Sequence, residues 1–403
     1  MLVENCYPQD TRVRNEATLL ASAGYQVSVI ALKKRGQTPC EVVNGVRVYR
    51  VPRLELFKKT ATGQLSGAGR LFLRLKSFIG YSIEYGYFTS VCFAVSLYIC
   101  LKHGFEVIHA HNPPDTLFLV ALPFKLLGKK FVFDHHDLSP ELYMSRYRSD
   151  QGLLTRVLRW AEWCSLKLAN VTIATNESYK AAQIERAKKD PRTIFIVRNG
   201  PNPLWMTPAA PSPRLRAMHK RILCYIGSLN PQDGVDYLLR SLHHLLHTQA
   251  RKDFHCVIMG TGDSLQDLRA LAAELQLDGH VELTGFVPDE ELQANLAAAD
   301  ICVDPDPSSP LNNVSTWIKI MEYMAYAKPI VSFDLKETRF SAQEAAVYVE
   351  PNDEKEFAKA IARLMDQPDQ RRQMGEFGRR RVEQELQWSV VGKNLLLAYQ
   401  ALP

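Results

Sequence analysis

Residues 301–333, ICVDPDPSSPLNNVSTWIKIMEYMAYAKPIVSF, read as strand, loop, helix and strand. Ile301, Cys302 and Val303 make a short apolar strand, and Pro305, Pro307, Pro310 and two asparagines then supply turn formers. Ser315 or Thr316 is placed to cap a helix that starts near Trp317. Trp317, Ile320, Met321 and Met324 recur at helical spacing, which predicts a core-facing side. Lys328-Pro329 stops the helix, and Ile330–Phe333 opens the next strand. The free N–H groups and positive dipole end of such a helix suit an anion such as a pyrophosphate. Glu322, on the polar side, lies six residues past Thr316, roughly 9 Å along the axis and within reach of a sugar hydroxyl. On spacing alone, an ordinary solvated helix residue competes with that reading.

Working outward, the same alternation recurs. Upstream stand the strands Arg221–Ile226, Phe254–Met259 and His280–Leu283, with helices over Val235–Leu246, Ser264–Leu275 and Asp289–Ala299. Downstream come a strand at Val347–Val349 and helices over Glu354–Asp366 and Arg371–Gln387. The first half opens with a short strand, a loop ending at Asp10, a helix over Thr11–Ala23 and a strand over Tyr25–Leu32. Further strands are expected at Val43–Val51 around an Asn-Gly turn, Phe105–Ala110, Lys130–Asp134, Asn170–Ala174 and Thr193–Val197. Five prolines between 201 and 213 mark a linker. The fold class is therefore α/β, with two Rossmann-like domains. Leu153–Ala169, with Trp160 and Trp163, reads as a mostly core helix.

A chain of 403 residues with 46% apolar and 23% charged residues suits two globular domains. Eight scattered cysteines without a C-x-x-C pair look like reduced core residues, pointing to a cytoplasmic protein. The net charge of +6 fits anionic substrates or an acidic membrane surface and is too weak to argue nucleic acid. No secretory signal is recognisable at Met1–Glu4. No uninterrupted apolar run reaches the ~20 residues of a transmembrane helix, the nearest candidate being Tyr81–Leu101 with Glu84 inside it. Within Leu54–Leu101, Lys58, Lys59, Arg70, Arg74 and Lys76 interleave with leucines and phenylalanines. That pattern suits either peripheral contact with the inner membrane face or packing on a sheet.

Polar residues gather at two strand ends, His109-Ala-His111 and Asp134-His135-His136-Asp137. Carboxyl ends of parallel strands are where α/β proteins bind ligands. One chemistry open to this set is a metal held by His109, His111, Asp134 and His136, activating water in a hydrolase. The structural alternative for His109 and His135 is a half-buried histidine with a satisfied ring. The first βα loop lacks G-x-G-x-x-G, so it gives a dinucleotide little support. A solvated helix face is the alternative for Arg12 and Arg14.

Residues 319–331, KIMEYMAYAKPIV, resemble the signature K-x-x-E-(Y/A)-M-A-x-G-x-P-(V/I) of the family 4, GT-B-type glycosyltransferases. Residues 132–141, VFDHHDLSPE, resemble that family's D-x-H-D segment, and 10–17, DTRVRNEA, its first loop. The resemblance covers nearly the whole chain. It implies transfer of a sugar from a UDP- or GDP-linked donor to a hydroxyl of a glycan or lipid-linked acceptor, with retention and no metal or cofactor. It implies domains at 1–200 (acceptor side) and 201–385 (donor side) facing across a cleft, with a helix at 386–403 crossing back. Carried over residue by residue, the catalytic pair is His136 and Asp137. Donor contacts fall to Gly227, Gly262, Phe286, Asn313, Ser315, Thr316, Lys319 and Glu322, and the acceptor side to Asp10, Arg12 and His111.

Two departures stand out. Ser228 and Asp233 occupy places where the family often has an arginine and a lysine against the diphosphate. A carboxylate there is repulsive, so Asp233 must point away or another cation, Lys319, must help. Val314 replaces the first glutamate of the family's E-x7-E pair, leaving Asn312 or Asn313 for the sugar hydroxyls. These departures favour a non-catalytic partner subunit as an alternative to the transferase; the histidine–aspartate cluster keeps the metal-dependent hydrolase open, and the shared architecture a sugar-nucleotide epimerase.

Overall fold

The computed structural model describes residues 1–54, 67–147, 152–201 and 203–403 and, apart from 67–79, 81, 146–147, 153 and 203–204, their side chains. The chain forms two compact units, one of Met1–Arg198 with Val391–Pro403, the other of Asn199–Val390.

The first unit is built on eight strands: β1 (Leu2–Cys6), β2 (Ser28–Leu32), β3 (Cys40–Val43), β4 (Val46–Val51), β5 (Val107–His111), β6 (Lys130–His135), β7 (Val171–Ala174) and β8 (Ile194–Ile196). Their order is β3-β4-β2-β1-β5-β6-β7-β8, parallel except for the β3–β4 hairpin. That hairpin turns on Asn44-Gly45, both with positive φ (51° and 79°), the backbone that asparagine and glycine tolerate best. Five helices matter below: α1 (Thr11–Ser22), α2 (Gly67–His103), α3 (Phe118–Leu126), α4 (Ser139–Tyr147) and α5 (Leu153–Leu168). The helix Lys393–Gln400 belongs to this unit: Asn394 Nδ2 donates to the Ile196 carbonyl at 2.8 Å, and the Tyr399 hydroxyl lies 3.0 Å from His109 Nδ1.

Helices α2 and α5 each depart from an expectation. By mean hydropathy the α2 stretch Ser82–His103, 22 residues at 1.3, is long and apolar enough to cross a membrane, although no uninterrupted apolar run predicts it. Here Phe88, Cys92 and Ile99 lie in the core of the first unit, so one side of the helix is sheet-bound. Of the basic stretch, Lys58, Lys59 and the side chains of Arg70, Arg74 and Lys76 lie outside the described residues. Trp160 and Trp163, expected in the core, are 58% and 45% exposed. The inward side of α5 is taken by Ala161, Ser165 and Leu166 instead.

The second unit holds six parallel strands: β9 (Arg221–Ile226), β10 (Phe254–Met259), β11 (Val281–Gly285), β12 (Ile301–Asp304), β13 (Ile330–Phe333) and β14 (Ala346–Val349). Their order is β11-β10-β9-β12-β13-β14. Alternate residues of β9 enter opposite cores, Leu223 and Tyr225 one, Ile222, Cys224 and Ile226 the other. Burial on both faces is why these strands read as continuous apolar runs. Each fully buried Leu or Ile contributes about 1.5–3 kcal/mol, so the two layers carry most of this unit's stability.

In each unit the strand order reverses once, between β1 and β5 in the first and between β9 and β12 in the second. Successive loops leave such a point in opposite directions and open a crevice at the strands' carboxyl ends.

Candidate functional site

In the first unit the crevice gathers α1, which follows the β1 loop, and the ends of β5 and β6. Asp10 caps α1, its Oδ1 accepting from Val13 N at 3.0 Å, and Oδ2 accepts from Asn5 at 3.0 Å. Two residues on, Arg12 is buried. Its Nε and Nη2 donate to the two oxygens of Asp134 at 3.0 and 2.8 Å, and Nη1 to the Val197 carbonyl at 2.9 Å. Arg12 is thus neither a solvated helix residue nor an acceptor-facing cation. It is the charge at the centre of a buried network.

The four histidines separate by exposure. The side chains of His109 and His111 are 1% exposed, His135 is fully buried, and His136 is 17% exposed. His136 is therefore the one that can meet a ligand. Its Nε2 lies 2.8 Å from Asp134 Oδ2, 2.9 Å from Arg12 Nε and 3.1 Å from His111 Nδ1. His111, expected on the acceptor side, stands behind it, and the His109 ring stacks on that of His111 with centroids 4.2 Å apart. His135 turns away to Glu162 at 3.1 Å. Asp137 is half-buried, and burial raises its carboxyl above the usual range, with His136 opposing.

Two residues of this cluster carry no assignment in the sequence reading. Glu16, one turn after Arg12, is fully buried with an oxygen 3.2 Å from Arg12 Nε. Burial and then the Asp134 charge push its carboxyl well up, Arg12 only partly opposing. Asp134 goes the other way: burial opposes its charge, but Arg12, His136 and His111 hold it well below the carboxylate range. Burial pushes His111 down to about 4 and also lowers His109. The one guanidinium thus favours charge on Asp134, while burial works against a second charge on Glu16. Asn112 is the second residue. Its Oδ1 accepts from His136 N at 2.6 Å, and its Nδ2 donates to the Asp137 carbonyl at 2.7 Å. It fixes the turn that presents His136.

Ligand atoms of Glu16, His109, His111 and Asp134 lie within 4.8 Å of one another, the arrangement a metal reading wants. The guanidinium of Arg12 already sits against both carboxylates. A permanent cation thus supplies the charge a metal ion would bring, and the metal reading loses its main motive.

In the second unit glycines let the loops after β9 and β10 interlock. A Cβ at Gly260 would stand 1.7 Å from the Gly227 carbonyl, and one at Gly262 2.3 Å from that of Leu229. Gly262 thus makes room for neighbouring backbone. Phe286, after β11, is 80% exposed, an open aromatic face. The helix of the focal stretch runs Ile318–Ala325 and is capped by no side chain. Ser315, expected as its cap, donates to the Leu311 carbonyl at 2.8 Å. The reason is a 3-10 turn at Asn312–Val314 that ends before the helix starts. Thr316 lies in the extended link between them, half-buried.

Asn312 is fully buried and donates to the carbonyls of Gln232 and Pro307, both at 2.9 Å. Asn313 donates to Ser308 Oγ at 3.0 Å and is only partly buried. Of the two it alone keeps surface for a sugar. Asp233 points into its own turn, Oδ2 accepting from Asn230 N at 2.8 Å.

Lys319 is not an idle cation. It is buried, 3.0 Å from Asp304 and 2.7 Å from Asp306, with its ammonium 4.9 Å from the Tyr225 ring centroid. Neither aspartate stands out in the sequence, although Asp304 ends strand β12 and Asp306 follows in its loop, where ligand-facing polar residues are expected. Glu322, half-buried, has its carboxyl pushed up to about 8 by burial and then by Asp289.

Residues 9–200 match the family model described as glycosyl transferase 4-like domain, and 220–367 the one described as glycosyl transferases group 1. The chain is 26% identical over 287 residues to an α-D-kanosaminyltransferase of Streptomyces kanamyceticus, covering 67% of this chain and 70% of that one. Among solved structures, sucrose-phosphate synthase of Thermosynechococcus elongatus superposes with a TM-score of 0.73 at 20% identity, over 99% of this chain and 94% of that one. The Anabaena protein HepE, solved in complex with UDP-glucose, gives 0.69 at 16% identity, over 100% and 98%. Both likenesses show the GT-B fold.

Proposed function

Because the chain belongs to the group 1 glycosyl transferases and is a glycosyltransferase of GT-B fold, we propose that it moves a sugar from a UDP- or GDP-linked donor to a hydroxyl of a glycan or lipid-linked acceptor, with retention. The observation that carries the donor reading is the crevice at the β9/β12 reversal. Near it the second unit carries a half-buried carboxylate, Glu322, on the helix that follows β12, and an exposed aromatic ring, Phe286, after the edge strand β11. Glu322 accepts the ribose hydroxyls and Phe286 stacks on the base. HepE was solved with UDP-glucose, which makes that sugar nucleotide the first to try. With Lys319 held by Asp304 and Asp306, the diphosphate falls to N–H groups of the Gly227 loop and the start of the helix Ile318–Ala325. His136 contacts the transferred sugar, and Asp137 and Asn112 set its position. Eight free cysteines suit a reducing, cytoplasmic setting.

A calorimetric screen of UDP-, GDP- and ADP-sugars tests the donor assignment, and NMR of the product anomer tests retention. Saturable binding of one sugar nucleotide is expected, and no binding of any defeats the assignment. Glu322→Ala removes two hydrogen bonds to a charged acceptor, so the donor Kd should rise about 10- to 100-fold. The pH dependence has a definite sign. Below about 8 the empty site's Glu322 holds a proton, and the ribose hydroxyls gain a carboxylate only after that proton leaves. Donor affinity should therefore climb by roughly tenfold between about pH 6.5 and 8.5 and then level off. In Glu322→Gln that climb should vanish, and a wild-type slope in the variant would refute the assignment.

A further inference from the structure

We propose that the first unit rests on an anionic lipid surface through one face shared by α2, α3 and α5. The inference deepens the acceptor reading above and rests on it for the lipid-linked class of acceptor. Each helix shows apolar residues one turn apart to solvent: Leu97 and Leu101 on α2, Leu122 and Leu126 on α3, Trp160 and Trp163 on α5. The two leucines of α2 are 42% and 81% exposed, and Leu126 is 81% exposed. These are not strays on separate surfaces. Phe93 meets Phe124 at 5.9 Å, joining α2 to α3, and Phe118 meets Trp160 at 5.8 Å, joining α3 to α5. An apolar surface of this breadth marks a contact.

Charge chooses the partner. Lys102, Arg156, Arg159 and Lys167 stand exposed on or beside this face. Between Phe93 and His103, and along the whole of α3, there is no acidic residue, and the one on α5, Glu162, is buried against His135 and Arg186. A second copy of the same face would set cation against cation, so self-association is disfavoured. An anionic bilayer matches both features: it takes the leucines, suits tryptophan at the interface, and draws the cations at about 1 kcal/mol each. At the margin of the face, a pocket of about 740 Å³ between α2 and the β3–β4 hairpin is lined by Arg47, Tyr98, Lys102 and His103, and also by Glu41, whose carboxylate is paired with Arg50. Its cations and aromatic ring suit a lipid phosphate. Since Phe88, Cys92 and Ile99 hold α2 to the sheet, the helix lies on the bilayer and does not cross it.

The test is sedimentation of the full chain with vesicles of phosphatidylcholine, with and without phosphatidylglycerol. Binding to the anionic vesicles only, weakening with added salt, is expected. Leu126→Ser combined with Trp160→Ser and Trp163→Ser should lower vesicle affinity at least about tenfold, while donor binding stays unchanged and the melting temperature falls by only a few degrees, the share that Trp160 and Trp163 keep against the protein. Arg156→Glu with Arg159→Glu should do the same through charge alone. Equal binding by wild type and both variants, or no vesicle binding by wild type, overturns the proposal. So does a dimer, seen by light scattering, that the serine variant dissolves. Donor binding measured in the same samples separates the two readings. Vesicle binding without nucleotide binding refutes the transferase assignment alone, and nucleotide binding without vesicle binding refutes this one alone.

Discussion

His136→Ala will lower kcat by about 10³-fold while leaving the donor Kd within twofold of wild type. The argument is one of access and restraint. Of the four strand-end histidines, only His136 reaches solvent, at 17% exposure. Its Nε2 is held within 3.1 Å by Asp134, Arg12 and His111, all buried, so the ring arrives at a substrate already oriented. A ring fixed this way need not be ordered when charge develops on the transferred sugar, and such preorganisation is where electrostatic catalysis gains most. The variant leaves the Arg12–Asp134 pair in place, so its melting temperature should fall by only a few degrees. Donor nucleotide is assigned to the other unit, which is why its Kd should not move. Single-turnover kinetics with a bound donor separates the two quantities. A fall in donor affinity equal to the fall in kcat would place His136 in binding and sink the assignment.

The fold was legible because parallel strands buried on both faces appear as apolar runs of four to six residues. Arg221–Ile226, Phe254–Met259 and Ile330–Phe333 match the structure at both ends. What the sequence could not show was which polar residues face one another. Glu16 looks like an ordinary α1 residue, yet it faces Asp134, 118 positions away, and only the neighbouring β1 and β5 bring α1 and the strand ends together. Asn112 carries no signal in the sequence, and only its side-chain bridge to the end of β6 reveals its role. Lys319 is expected against the diphosphate because nothing in the sequence shows that Asp304 and Asp306 face it. Trp160 and Trp163 were assigned inward on residue type alone, whereas Ala161 and Leu166 define the inward side of α5. Periodicity finds elements, and charge pairing across elements needs the topology.

The largest stability effect should come from the Arg12–Asp134 pair. Arg12→Met removes the guanidinium paired with the buried Asp134 carboxylate, and breaking a buried pair from one side costs about 3–5 kcal/mol. Arg12→Lys should recover little, because an ammonium cannot reproduce the two-pronged bond to Asp134. Adding Asp134→Asn to Arg12→Met removes the stranded charge, so the double variant should be more stable than Arg12→Met by about 2 kcal/mol, a clear coupling energy. The pH sign supports the same assignment. In wild type Asp134 is held well below its unfolded value. Its stabilising contribution is therefore complete above the ordinary carboxylate range and is lost as pH falls through the lowered folded value. Without Arg12, burial raises the folded value above the unfolded one, and the contribution reverses: the folded variant then binds the extra proton and loses stability as pH rises from about 4 toward 7. Urea unfolding at two pH values should show the Arg12→Met deficit larger at neutral pH than near pH 5. A deficit independent of pH would mean that Arg12 acts through packing and not through charge, and the network beneath His136 would need another account.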